Sequence, residues 1–236
     1  MEHKGDAKAG VEVAVGTRSV VYADASGVNI SGSYAVSDHI GVMGSTAFLG
    51  NKDEHTRGVD KYRLNNYEIG LGYINTRINQ SFLFEIFAGG GYITQQHLYN
   101  YKVPDRTLKA RSIKYFLQPN IAYKLELVSF SFSPKFVLVE NKFVSHDFPF
   151  NSEYYGSFYS VYQMEQNTRT AYLEPTLDLT VGLRQIKLKL QGKYIGALED
   201  FAPRHPKIMV SMGLQFELDE LLFNGEKSEN VRIDKK

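Results

Sequence analysis

Along most of this chain apolar residues recur at every second position, and nowhere do they settle into the i, i+3, i+4 spacing of a helix face. A period of two is the period of a β-strand, whose side chains alternate between two environments, so the pattern predicts an all-β fold. In the stretch GVNISGSYAV, Val28, Ile30, Tyr34 and Val36 fall on one side, and Asn29, Ser31, Ser33 and Ala35 on the other. The same alternation begins at Val11, Ile40, Tyr67, Phe82, Ile113, Val128, Leu173, Ile186 and Ile208, which gives about ten strands.

The connections between these strands are of two kinds. Four are tight, near residues 37–39, 75–80, 124–127 and 184–185, and between them lie longer polar segments at 19–26, 50–62, 98–110, 140–168 and 199–206. Short turns alternating with long loops are the mark of a barrel whose two ends face different compartments. The predicted fold is therefore an up-and-down antiparallel transmembrane β-barrel over residues 9–218, preceded by a flexible segment 1–8 and followed by a polar periplasmic tail 219–236. An even strand number puts both termini at the short-turn, periplasmic end and the long loops outside the cell.

Alternation alone fits a soluble sandwich or a lipocalin as well, so other features carry the membrane reading. Several strands exceed the ~5–6 residues usual in globular sheets. Phe and Tyr crowd the apolar face, with Tyr73, Phe82, Tyr92, Tyr123, Phe136, Tyr194 and Phe216 placed as interfacial girdles. No run approaches the ~18 apolar residues of a spanning helix, so strands are the only way across. Charges central to the strands all fall on the polar parity. Glu68, Glu85, Lys114, Lys135, Glu174, Asp178, Lys187, Lys189 and Lys193 should face the lumen, where acids and bases can pair. The 27 basic and 26 acidic residues leave a formal charge of +1, which gives no reason to expect nucleic acid as a partner. The absence of Cys excludes disulfides, thiolate metal sites and thiol nucleophiles.

The last strand reads SMGLQFEL. It resembles the assembly signal of small bacterial outer-membrane β-barrels, polar-x-Gly-x-x-aromatic-x-hydrophobic, on Ser211, Gly213, Phe216 and Leu218. The phrases LQPNIAYKL, FSPKFVLVE and LEPTLDLTVGL, each with a proline inside a strand, resemble the outer membrane protein β-barrel domain of the Bacteroidetes type, over residues 9–218. The resemblance implies location in a bacterial outer membrane, contact with outer-membrane lipid, and the barrel assembly machinery as a partner in biogenesis. An exported precursor needs an apolar leader core, which MEHKGDAKAG lacks, so the reading expects a processed or truncated form with an added or retained Met1.

Several groups invite a chemical reading. Pro119, Pro134 and Pro175 share the apolar parity of neighbouring strands and mark either a bend in the wall or a lateral opening to the bilayer. His55, His97, His146 and His205 each fall in a different long loop and could meet at the outer mouth, but without metal-ligand spacing they read as ordinary loop residues, and neither metal nor cofactor is expected. His146 and Asp147, with Glu153 nearby, have the makings of a base and its orienting carboxylate; Asp53, Glu54, Glu199 and Asp200 lie in other loops, with no motif tying them together. The fourth loop concentrates Phe148, Phe150, Tyr154, Tyr155, Phe158, Tyr159 and Tyr162, rings that suit an adhesive surface or a self-packed lid. The leading expectation is a non-enzymatic anchor whose extracellular loops bind a surface protein or glycan. A narrow pore for ions or small solutes is the alternative, followed by a barrel-mouth hydrolase and a soluble lipocalin-like carrier.

Overall fold

The computed structural model describes residues 5–17, 25–55, 58–79, 81–100, 106–147, 168–183, 185–198 and 208–217. The strands are β1 (Ala7–Thr17), β2 (Ala25–Ala35), β3 (Ile40–His55), β4 (Gly58–Asn79), β5 (Phe82–Asn100), β6 (Arg106–Lys124), β7 (Val128–His146), β8 (Arg169–Gly182), β9 (Ile186–Tyr194), β10 (Gly196–Ala197) and β11 (Ile208–Glu217). From β1 to β9 each strand pairs antiparallel with its neighbours along the chain, β10 pairs with β8, and β11 pairs with β9. Pairing of β1 with β11 and of β8 with β9 closes the sheet into a barrel. The two residues of β10 keep on β8 the register that β9 sets, so β9 and β10 are one strand and the barrel has ten among the described residues.

Turn chemistry explains the first hairpin. The Ser37 hydroxyl accepts from the backbone N–H of His39 at 3.3 Å and of Ile40 at 3.1 Å, so a serine side chain closes the turn. His39 then stacks on Tyr73 of β4 with ring centroids 5.7 Å apart.

The outer surface carries Val11, Val13, Val28, Ile30, Ile69, Leu71, Leu117, Ile121, Phe130, Phe132, Leu177, Leu188, Val210 and Met212, all exposed. Tyr34, Tyr73, Phe82 and Tyr123 edge this belt at the short-turn end, and Phe48, Tyr67 and Tyr92 edge it at the other. Phe82 leans on Tyr123 at 5.3 Å and Phe48 meets Tyr67 edge-on at 6.0 Å. From Phe82 to Tyr92 along β5 is roughly 33 Å, or roughly 25 Å along the normal at a tilt of about 40°, the height of a lipid-facing apolar band. Phe136 lies opposite Leu117, inside the belt, and so does not belong to a girdle.

Two of the expected long loops, 50–62 and 98–110, are largely strand, and the described start of a third, 140–146, is strand as well. β3 and β4 pair as far as His55↔Gly58, β5 runs to Asn100, β6 starts at Arg106, and β7 reaches His146. With 22 residues, β4 is roughly 70 Å long and must project well beyond the bilayer. The charged stretches read as loop because of their polarity. Backbone ladder bonds do not depend on side-chain polarity, and above the membrane both faces of a hairpin are free to be polar.

Candidate functional site

The interior is built in layers. On β4, β6, β7 and β8 the inward parity places Glu68, Lys114, Lys135 and Glu174, all buried, at one level. Lys114 Nζ reaches Glu68 Oε1 at 2.7 Å and Glu174 Oε1 at 3.2 Å, and Lys135 is bonded to Glu68 Oε2. Lys193 on β9 donates to Glu174 Oε2 at 3.2 Å. Every acid in this layer has a base on it, and burying these charges is tolerable only in that arrangement. A second group spans the closing seam: Lys189 reaches Glu12 Oε1 at 2.8 Å and Asp178 Oδ1 at 3.6 Å, and Ser211 donates to Glu12 Oε2 at 2.7 Å. Gln191 and Ser131 donate to the two oxygens of Asp178. Lys187 meets Glu217 at 2.8 Å near the short-turn rim, and Asn120 donates to Glu85 at 3.3 Å. The nine charged positions expected in the lumen thus all point inward, and Glu12 joins them.

Between this charge layer and the short-turn rim lies a polar cavity of about 280 Å³. Its wall mixes hydroxyl and amide groups (Ser31, Ser33, Ser129, Ser131, Ser133, Thr176, Thr180, Gln118 and Asn120), charged side chains of both signs (Glu68, Glu85, Asp178, Glu217, Lys135 and Lys193) and the apolar Met43, Leu83 and Phe87. On the long-loop side the interior is more apolar. There Phe116, Val137, Val139 and Tyr172 belong to a buried apolar cluster that continues through Phe87 and Leu83 to Ile74 and Ala35 near the short turns; Ala14, Leu49, Tyr62 and Leu64 form another, and Ile93 packs against both. Ile195 and Met209 complete the layer, so it draws on every side of the barrel except β2. These side chains fill much of the interior between the described walls.

Small residues make room for it. A β-carbon at Gly89 would stand 2.6 Å from Phe116 Cζ, and one at Gly70 would stand 3.0 Å from the same atom, so these two glycines leave room for the Phe116 ring, while Gly91 leaves room for Glu68, whose Cγ a β-carbon there would approach to 3.2 Å. The plug was missed in the sequence although it leaves a trace there. Tyr62, Leu64, Phe116, Val137, Val139 and Tyr172 are apolar residues on the otherwise polar parity.

The remaining candidates are placed as follows. Ser211, Gly213 and Phe216 lie in β11; Gly213 passes so close to β1 that a β-carbon would stand 2.8 Å from Glu12 Cγ. Leu218 and the loop rings Phe148, Phe150, Tyr154, Tyr155, Phe158, Tyr159 and Tyr162 lie outside the described residues, as do Glu153, Glu199, Asp200 and His205. His97, a buried interior residue of β5 with its ring edge-on to Tyr62 at 5.8 Å, and His146 at the end of β7 both lie opposite Leu108 of β6, at the same level of the barrel. His97 looked like a loop residue because the strand continues above the membrane. Among the described residues no three His, Asp or Glu side chains are grouped to hold a metal.

No protein-family model matches this chain, and no curated protein sequence does. Solved structures do. The chain is similar to the translocator domain of the autotransporter NalP from Neisseria meningitidis, with 6% identity, a TM-score of 0.54, and coverage of 90% of this chain and 88% of that one. Lower similarity is found to Ail, the attachment invasion locus protein of Yersinia pestis, with 11% identity, a TM-score of 0.41, and coverage of 92% and 99%. The closed ten-stranded antiparallel barrel, free of helices among its described residues, is thus an outer-membrane β-barrel in fold.

Proposed function

We propose that this protein is a plugged, non-enzymatic anchor in a bacterial outer membrane, of the Bacteroidetes type, that presents its long-loop end to a surface protein or glycan. The apolar layer of Phe116, Val137, Val139, Tyr172, Tyr62, Leu64 and Leu49 across the interior carries this reading. An aqueous pore needs a wetted path lined by polar groups, and a layer of this kind excludes water. The apolar outer belt supports the bilayer as its environment. Extended β3–β4, β5–β6 and β7 carry the long-loop end far beyond that belt, so the segment with Phe148, Tyr154, Tyr155 and Tyr159 would be displayed well above the lipid surface. In this orientation the short turns and both termini are periplasmic, and Ser211, Gly213, Phe216 and Leu218 are what the assembly machinery reads.

The test is planar-bilayer conductance of detergent-purified protein whose unboiled sample migrates as a folded barrel on a gel. Silence is the expected result. Stable steps proportional to salt would replace the anchor with a pore, and Lys135, Lys189 and Lys193 would become its selectivity residues.

A further inference from the structure

The three prolines stand side by side across the wall. Pro134 and Pro175 are Cα partners in an intact β7–β8 ladder, and two prolines can hold that position only where neither must donate to the other. The carbonyl of Pro134 therefore points the other way, toward β6. There the ladder lapses: pairing stops at Leu117↔Phe136 and resumes, in the same register, at Ile121↔Phe132. The unchanged register sets Pro119 opposite Pro134 at a site where each residue should exchange two bonds with the other. Neither has an N–H to give, so both bonds are lost and the two carbonyls face each other without a donor. A similar lapse follows on β8, between Thr176↔Lys193 and Leu173↔Gly196, where Pro175 has no donor for β9. Within hydrocarbon a sheet with unmet backbone acceptors is the weakest place in the wall.

What lies on the two sides of this gap differs sharply. Outside are the apolar side chains Leu117, Ile121, Phe132 and Phe136. Inside, the residues flanking the prolines, namely Gln118, Asn120, Ser133, Lys135 and Thr176, are the wall of the polar cavity. The donor-free seam is the part of the cavity wall between β6 and β7 that lacks ladder bonds.

We propose that the β6–β7 seam is a lateral portal for a single-chain membrane amphiphile, its polar head entering the cavity beside Lys135 while its apolar tail stays against Leu117, Ile121, Phe132 and Phe136. A head with hydroxyl groups supplies the donors that the Pro119 and Pro134 carbonyls lack. A negative head would also meet the Lys135 and Lys193 ammonium groups. The cavity has room for one head, and the apolar plug stops it from passing to the long-loop side. This inference rests on the membrane reading above.

The chain has neither Trp nor Cys, which makes the experiment clean. Phe87 lines the cavity, and Phe87→Trp places a unique fluorophore there. In lipid nanodiscs, a single-chain amphiphile whose hydroxyl-bearing head carries a nitroxide should quench this Trp. The double change Leu117→Cys and Phe136→Cys, which keeps both prolines, sets thiols on the last paired positions before the gap, about 5.5 Å apart between Cα atoms in an antiparallel pair and so within disulfide reach. Oxidation should remove the quenching and reduction restore it. A cysteine pair at Ile30 and Thr46, partners in the intact β2–β3 ladder, should have no effect. Should the cysteine variant fail to fold, Pro119→Val with Pro134→Thr returns both N–H donors and should likewise abolish quenching. Equal quenching in the open, locked and donor-restored proteins overturns the portal. Failure of the folded protein to enter nanodiscs would instead overturn the membrane reading on which it rests.

Discussion

Glu68→Gln should be the most damaging single change in the charge layer, worse than Lys114→Met. Four buried side chains there carry two positive and two negative charges, with Lys193 partly exposed toward the cavity. Removing the Lys114 ammonium leaves each acid with a base, Glu68 with Lys135 and Glu174 with Lys193. The loss is then of two charge-assisted hydrogen bonds, at 2.7 and 3.2 Å, offset by no longer desolvating an ammonium, so about 1 kcal/mol is expected. Removing the Glu68 carboxylate leaves Lys114 on Glu174 but strands Lys135, and a buried charge stripped of its partner costs about 3–5 kcal/mol. Lys135 retains one attraction, to the Phe116 ring 4.3 Å from its Nζ. That contact is present before and after the change and does not offset it, so the net destabilisation stays at about 3–5 kcal/mol. Adding Lys135→Met to Glu68→Gln removes the stranded charge and should recover most of that loss. The assay is equilibrium urea unfolding in phospholipid vesicles, with the folded fraction read from the mobility of unboiled samples. If Lys114→Met proves the more destabilising, or if the double variant is worse than Glu68→Gln alone, the pairing scheme is wrong.

Other perturbations probe the layers separately. Gly89→Val should lower folding yield sharply, because its side chain must occupy the space of the Phe116 ring and collide with the backbone of β4; refolding yield into vesicles checks this. Ser211→Ala leaves one oxygen of the buried Glu12 without its 2.7 Å donor across the closing β1–β11 pair, at a cost of about 1–3 kcal/mol in the same urea assay. Phe116→Ala combined with Tyr172→Ala opens the plug, so conductance steps should appear in a planar bilayer where the unaltered protein is silent; continued silence would place the barrier elsewhere.

The residues differ in how far their roles could be read from the chain alone. Glu68, Lys114, Lys135 and Glu174 were identifiable as inward-facing because a strand has a strict period of two and the opposite parity is apolar. Their partners were not identifiable, since Lys114 and Glu174 are 60 residues apart and meet only because β6 and β8 curve toward one lumen. His97 and the Asn51–Glu54 stretch show where polarity misled: above the bilayer a strand is under no demand for an apolar outer face, so charge there does not mean loop. The proline positions were visible as a shared parity. That Pro119 opposes Pro134, and so cancels both bonds of one position, is a matter of register.

By itself, then, the sequence determined the strand content, the parity that separates lipid-facing from inward-facing side chains, and the alternation of short and long connections, because all three are local consequences of backbone geometry and of the solvent on each face. Tertiary structure alone decided which charges pair, which apolar side chains gather inside around Phe116, and that the wall lacks donors where the cavity lies behind it. Those features depend on register, on shear and on closure of the sheet into a ring, which bring together residues far apart in the chain and which no local pattern encodes.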